Sequence, residues 1–172
     1  IVSANSGVTA TENKILGNFI GTDANGTNSI GNGNGVLIER GSVPADPCPF
    51  DNIIGGTSEG EGNIISGNTM HGVLISGLTS TGNQIVGNRI GTDKGGLAAV
   101  ANGINGVQIF SATLNEISHN VISGNKNAGI FIYGDHYPNA TDPIAEAVDN
   151  KILANFVGTD VTGTVSVPNL FE

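Results

Sequence analysis

The chain has no Trp, one Cys, one Met and only 6 Lys and Arg among 172 residues. A single Cys rules out an internal disulfide and any disulfide-stapled scaffold, and Cys48, between Pro47 and Pro49, reads as an inert loop thiol. With 6 basic against 15 acidic residues, the net charge of −9 opposes a phosphate-backbone partner, so no nucleic acid is expected. No apolar run approaches the roughly 18 residues of a membrane span, so no membrane insertion is expected either. Aromatics make up only 5% and charged residues 12%. The hydrophobic share, 38% and dominated by Ile and Val, is nevertheless too high and too regular for a disordered tract.

What the chain has in excess is Gly (27) and Asn (22), and both recur in register. The segment Asn13-Lys-Ile-Leu-Gly-Asn18-Phe-Ile-Gly-Thr-Asp23 returns at Asn83–Asp93 and again at Asn150–Asp160. Weaker copies start at Asn115 and, split in two, at Asn52 and Asn63. A third apolar element follows each of the first four units: Gly35-Val-Leu-Ile, Gly72-Val-Leu-Ile, Gly106-Val-Gln-Ile and Gly129-Ile-Phe-Ile. Each unit of 31 to 39 residues thus holds three short β segments parted by Asn and Gly corners, with no helical period. That pattern predicts an all-β fold, a parallel β-helix (solenoid) with three short strands per coil and four to five coils. A right-handed course follows from the crossover preference of parallel strands. The whole of 1–172 reads as one domain, a fragment of a longer solenoid whose open ends would allow end-to-end self-association.

Three inward stacks follow from the alignment: Ile15, Ile54, Ile85, Ile117, Ile152; Ile20, Ile65, Ile90, Ile122, Val157; and Val36, Val73, Val107, Ile130. Two Asn ladders are complete, one from Asn13 to Asn150 and one from Asn18 to Asn155, with Asn at the corners tolerating left-handed backbone. A further column reads Asn34, His71, Asn105, Ala128, which makes His71 a ladder substitute. Another places Asp23, Asn68, Asp93, Asn125 and Asp160 in one line, acid alternating with amide. The alternation would double the carboxylate separation along the rungs, and Asx turns explain it better than a row of cation sites.

The run Asn115-Glu-Ile-Ser-His-Asn120-Val-Ile-Ser-Gly-Asn125 with Gly129-Ile-Phe-Ile resembles right-handed parallel β-helix repeats of the pectin-lyase-like and NosD-like type. The Ile-Gly-Thr-Asp-x-x-Gly variant at Ile20 and Ile90 is similar to repeats of large secreted or surface bacterial proteins. The resemblance implies the fold and an extracellular or cell-surface location. It leaves function open, because the same fold carries lyases, hydrolases, epimerases and adhesins.

No catalytic residue stands out. The basic residue among clustered acids that a pectate lyase would need is not matched by Arg40 or Arg89, and the strand carboxylates are mainly Glu39 and Glu116. No metal site and no cofactor are implied. The residues therefore favour a non-catalytic structural or adhesive segment over the alternative, a carbohydrate-active enzyme or its glycan-binding portion. Its partner would be a polysaccharide or a protein neighbour. Two outward columns could carry the contact, unless long loops or neighbouring domains cover them. One is Phe19, Ile64, Arg89, Val121 and Phe156. The other, on the third strands, gathers Phe110, Phe131 and Tyr133 with Gln108, Asp135 and His136 at the rim as the candidate ligand-binding set; the alternative is that the loop at 134–149 folds back and buries these rings as a satellite core. Long excursions at 39–51 and 133–149 would wall a shallow cleft beside it.

Overall fold

A computed structural model of the chain describes residues 1–3, 9–40, 48–134 and 146–171. Fifteen short strands form three parallel sheets, and the described residues contain no helix. The first sheet stacks β2 (Lys14–Ile15), β5 (Ile53–Gly55), β8 (Gln84–Val86), β11 (Glu116–Ser118) and β14 (Lys151–Leu153). The second stacks β3 (Phe19–Ile20), β6 (Ile64–Ile65), β9 (Arg89–Ile90), β12 (Val121–Ile122) and β15 (Phe156–Val157). The third stacks β1 (Val2–Ser3), β4 (Val36–Arg40), β7 (Val73–Ser76), β10 (Val107–Phe110) and β13 (Ile130–Tyr133). Each strand pairs with its equivalent one coil away, never with its sequence neighbour, which is the topology of a parallel β-helix with three strands per coil.

Like residues stack on like. Ile54 pairs with Ile85 and Ile85 with Ile117; Ile65 pairs with Ile90 and Ile90 with Ile122; Val73 pairs with Val107. All of these are fully buried. A β-branched side chain has few rotamers to lose, so a column of identical Ile packs closely at little entropic cost. Each fully buried Ile contributes about 1.5–3 kcal/mol of burial.

The Asn ladders set the corners. In the first, the backbone N–H and the side-chain Nδ2 of each Asn both donate to Oδ1 of the next, from Asn13 through Asn52, Asn83 and Asn115 to Asn150, at 2.8–3.2 Å. The second repeats this from Asn18 through Asn63, Asn88 and Asn120 to Asn155 at 2.8–3.0 Å. The left-handed conformation, however, does not fall on these Asn residues. It falls on the residue before each one: Glu12, Asp51, Gly82, Leu114 and Asp149 in the first ladder, with φ of +52° to +67°. That residue turns the corner, and the turn aims the following Asn along the helix axis. Non-glycine residues there sit in a conformation disfavoured by roughly 1–2 kcal/mol.

The alternating acid–amide column does not form. Asn68 and Asn125 belong to a third Asn ladder, Asn32–Asn68–Asn102–Asn125–Asn169, joined through Nδ2 to Oδ1 contacts of 2.9–3.2 Å. Asn68 follows Ile65 by three residues and Asn125 follows Ile122 by three, but Asn32, Asn102 and Asn169 follow Ile20, Ile90 and Val157 by twelve. The difference is a hairpin inserted on coils 1, 3 and 5. Antiparallel bridges Thr22–Ser29, Thr92–Ala99 and Thr159–Ser166 close the three hairpins. Their tips bond to one another over the bare coils between them: the Lys94 N–H donates to the Gly26 carbonyl and the Val161 N–H to the Gly96 carbonyl, both at 2.9 Å.

Asp23, Asp93 and Asp160 hold these hairpins shut, as Asx turns do. Asp23 Oδ1 accepts the N–H groups of Thr27 (2.9 Å) and Asn28 (3.2 Å), and Asp93 Oδ1 accepts those of Leu97 and Ala98. Asp160 Oδ1 accepts those of Thr162, Thr164 and Val165. The Thr27 N–H and then the Asn28 side chain hold the Asp23 carboxyl below its ordinary range. For Asp160, desolvation works against ionisation, but the Thr162, Val165 and Thr164 donors outweigh it and its pKa is also lowered.

Candidate functional site

The hairpins settle the fate of one outward column. On the second sheet, Ile64 and Val121 are buried, at 5% and 6% exposure. The hairpin glycines lie over this face. A Cβ on Gly26 would stand 2.8 Å from the Phe19 ring, one on Gly163 2.6 Å from the Phe156 ring, and one on Gly96 3.1 Å from Arg89 Nε. The column expected as a partner surface is therefore largely a satellite core beneath the hairpins, open only at Phe19 and Phe156 on the terminal coils.

The third sheet keeps its outward face. On β10 the inward Val107 and Ile109 are buried while Gln108 and Phe110 are half-buried; on β13 Phe131 and Tyr133 are exposed at 45% and 38%. The register sets Gln108 beside Phe131 and Phe110 beside Tyr133. Period two along each strand turns all four side chains to one side. Phe110 and Tyr133 stack with centroids 4.7 Å apart at 29°, close to the rung spacing of about 4.8 Å. Phe131 tilts against Tyr133 at 5.0 Å and 40°. Gln108 Nε2 lies 3.5 Å from the Tyr133 hydroxyl. Four of the six candidate residues are thus brought together. Asp135 and His136 lie outside the described residues, as do most of the two excursions expected to wall the cleft.

The four described members of this set can stack and hydrogen-bond. Glu39 and Glu116, the strand carboxylates noted from sequence, stand on different sheets, β4 in the third and β11 in the first. Among the described residues no three His, Cys, Asp or Glu side chains cluster as metal ligands. His71 sits in its column as a ladder member: its backbone N–H donates to Asn34 Oδ1 at 3.2 Å and its ring Nδ1 accepts the Asn105 backbone N–H at 3.4 Å. Burial lowers its pKa, which keeps the ring in the neutral form that this acceptor role needs.

Sequence reasoning missed a second concavity. A shallow cleft of about 570 Å³ lies between the loop at 56–60 and the corner at Gly87, with Thr57, Ser58, Glu59, Arg89 and His119 on its walls. Arg89 Nε is buried without a hydrogen-bond partner. The signal was the split of the second unit between Gly55 and Asn63, which inserts that loop. No protein-family model matches the chain, and no curated protein and no solved structure is significantly similar to it.

Proposed function

We propose that the chain is a non-catalytic, adhesive β-helix segment of an extracellular or cell-surface bacterial protein, and that it holds a glycan on the outward face of β10 and β13. The observation that carries this reading is the aromatic patch. Six Phe and two Tyr serve 172 residues, and on two adjacent rungs the Tyr133 ring meets both Phe110, at 4.7 Å, and Phe131, at 5.0 Å. Exposed rings bind the apolar C–H face of a sugar, and Tyr133 and Gln108 supply polar contacts at its edge. The location rests on the Ile-Gly-Thr-Asp units at Ile20 and Ile90, each of which builds one hairpin of the stack, and the kinship with pectin-lyase-like and NosD-like repeats on the run from Asn115 to Asn125 with Gly129-Ile-Phe-Ile.

A glycan array probed with the intact chain and with Tyr133→Ala and Phe131→Ala tests the reading. Both variants should lose retention of whatever glycans the parent chain holds. Their melting temperatures should stay within about 3 °C, since both residues are exposed and sit on the edge strand. Retention unchanged in both variants refutes the site.

A further inference from the structure

We infer that the patch selects sugars bearing an acetamido group, because a chain of side-chain amides fixes it as a hydrogen-bond donor; this rests on the glycan-binding reading above. The Ala128 backbone N–H can only donate, and it meets the Asn105 side chain at 3.1 Å, so the atom it meets is Oδ1. Asn127 Nδ2 donates to the same oxygen at 2.7 Å. Asn105 Nδ2 must then face Gln108, at 2.8 Å, and the Gln108 atom opposite it must be Oε1. That leaves the Gln108 amide nitrogen pointing at Tyr133, 3.5 Å from its hydroxyl oxygen. A phenol that accepts this N–H turns its own proton outward. Beside the exposed Phe131 ring the polar rim therefore offers an N–H and an O–H, while the amide oxygen that could have accepted is already engaged.

A complementary ligand stacks its C–H face on Phe131 and directs an acceptor oxygen at Gln108 and Tyr133. A carboxylate would supply one, but the chain carries a net charge of −9, which disfavours anions at a surface. A neutral acetamido carbonyl satisfies both conditions, and its methyl group adds apolar contact. Asn105, 2% exposed, touches no ligand and acts as a positioning residue through Gln108.

Matched hexasaccharides decide the matter: the β-1,4-linked N-acetylglucosamine hexamer and cellohexaose, which differ only in acetamido against hydroxyl at C2. Titration calorimetry on the whole chain should give at least tenfold tighter binding of the acetylated hexamer. Tyr133→Phe and Gln108→Glu, both at the surface, should each shrink that ratio to within threefold. Asn105→Asp, which would turn the Gln108 amide around, should shrink it likewise in a sample whose melting curve shows it folded. Equal binding of the two hexamers by the parent chain, binding of neither, or a ratio unmoved by Tyr133→Phe and Gln108→Glu overturns the inference. If Tyr133→Ala still abolishes retention on the array, the patch survives that outcome; if it does not, the patch falls as well.

Discussion

Asn88 is the place to test whether the ladders hold the solenoid together. It is 1% exposed. Its Oδ1 accepts the Asn63 N–H at 3.0 Å and Asn63 Nδ2 at 2.9 Å. Its Nδ2 lies within 2.9–3.1 Å of the Ile54 and Val86 carbonyls and Asn120 Oδ1. Asn88→Ala deprives the Asn63 N–H of that acceptor and the two carbonyls of that donor. At about 1–3 kcal/mol for each buried group left unpaired, and with partial relief by water, the loss should be about 3–5 kcal/mol. Asn88→Asp should be worse near neutrality, because the new oxygen faces three acceptors. Its folded pKa must then rise above the usual value of about 3.9, so the folded state binds more protons than the unfolded. The penalty is therefore smallest below about pH 4 and grows as pH rises through the raised pKa. Asn18→Ala is the control: Asn18 is exposed on the first coil, and its Oδ1 accepts no hydrogen bond among the described residues, so the cost should be about 1 kcal/mol. Urea denaturation with m-values compared across variants measures all three. Equal losses for Asn88→Ala and Asn18→Ala, or an Asn88→Asp penalty that does not change with pH, would refute the ladder argument.

Other expectations follow from the corners. A Cβ on Gly55 (φ +87°) would stand 2.1 Å from the Val86 carbonyl oxygen, so Gly55→Ala should cost about 3 kcal/mol or more, whereas Gly60 (φ +82°) has open space around it and Gly60→Ala should cost only about 1 kcal/mol. Leu114 is 59% exposed at φ +59°, and Leu114→Gly should raise stability by up to about 1 kcal/mol in the same urea assay. His71 has a folded pKa lowered by burial, so the unfolded chain takes up its proton first; stability should hold above about pH 6.5 and fall as pH drops through and below that value. His71→Asn, which restores the residue type of its column, should flatten this slope between pH 5 and 6.5 in thermal melts. Asp23 and Asp160 have lowered pKa values, so their hold on the hairpins is complete above about pH 4 and is lost only in stronger acid, which hydrogen exchange at Thr27 and Val165 would follow.

The core was legible because it is written in side chains that repeat. Ile85, Ile90 and Val107 sit at fixed offsets from their Asn, and each offset became a buried stack. Two ladders were legible for the same reason. The third was not, since its members stand at two different distances from the strand before them. An Asp at the offset where Asn68 and Asn125 stand looks like a ladder member until the hairpin bridges show that the chain leaves the coil at Thr22 and rejoins it before Asn32. Whether loops cover the outward column was open for the same reason: alternation along β6 and β12 says that Ile64 and Val121 face out, and sequence does not say that the inserted hairpins fold over that sheet. The aromatic patch needed no such knowledge, because Gln108, Phe110, Phe131 and Tyr133 lie on strands with no insertion between them and their Ile neighbours. The amide chain behind the patch was invisible, since the direction of a hydrogen bond is a property of neighbours in space.

The hairpins also bear on what fits the open fifth coil. Ile152 and Val157, whose equivalents Ile117 and Ile122 are fully buried, are exposed at 50% and 43%. The first two ladders run one way, so that among the described residues the Oδ1 atoms of Asn13 and Asn18 on coil 1 accept no hydrogen bond and the backbone N–H groups of Asn150 and Asn155 on coil 5 meet no acceptor. In hydrogen bonding alone, one end therefore matches the other, which is what end-to-end association of copies would use. The hairpins do not match. Their tips bond across a bare coil, two rungs or roughly 9.6 Å apart. Coil 5 against coil 1 of a second copy would put hairpins on adjacent rungs, at half that spacing. A bare coil such as coil 2 or coil 4 fits the fifth coil without this conflict, and a second copy fits it only if its hairpin at 22–29 swings off the stack.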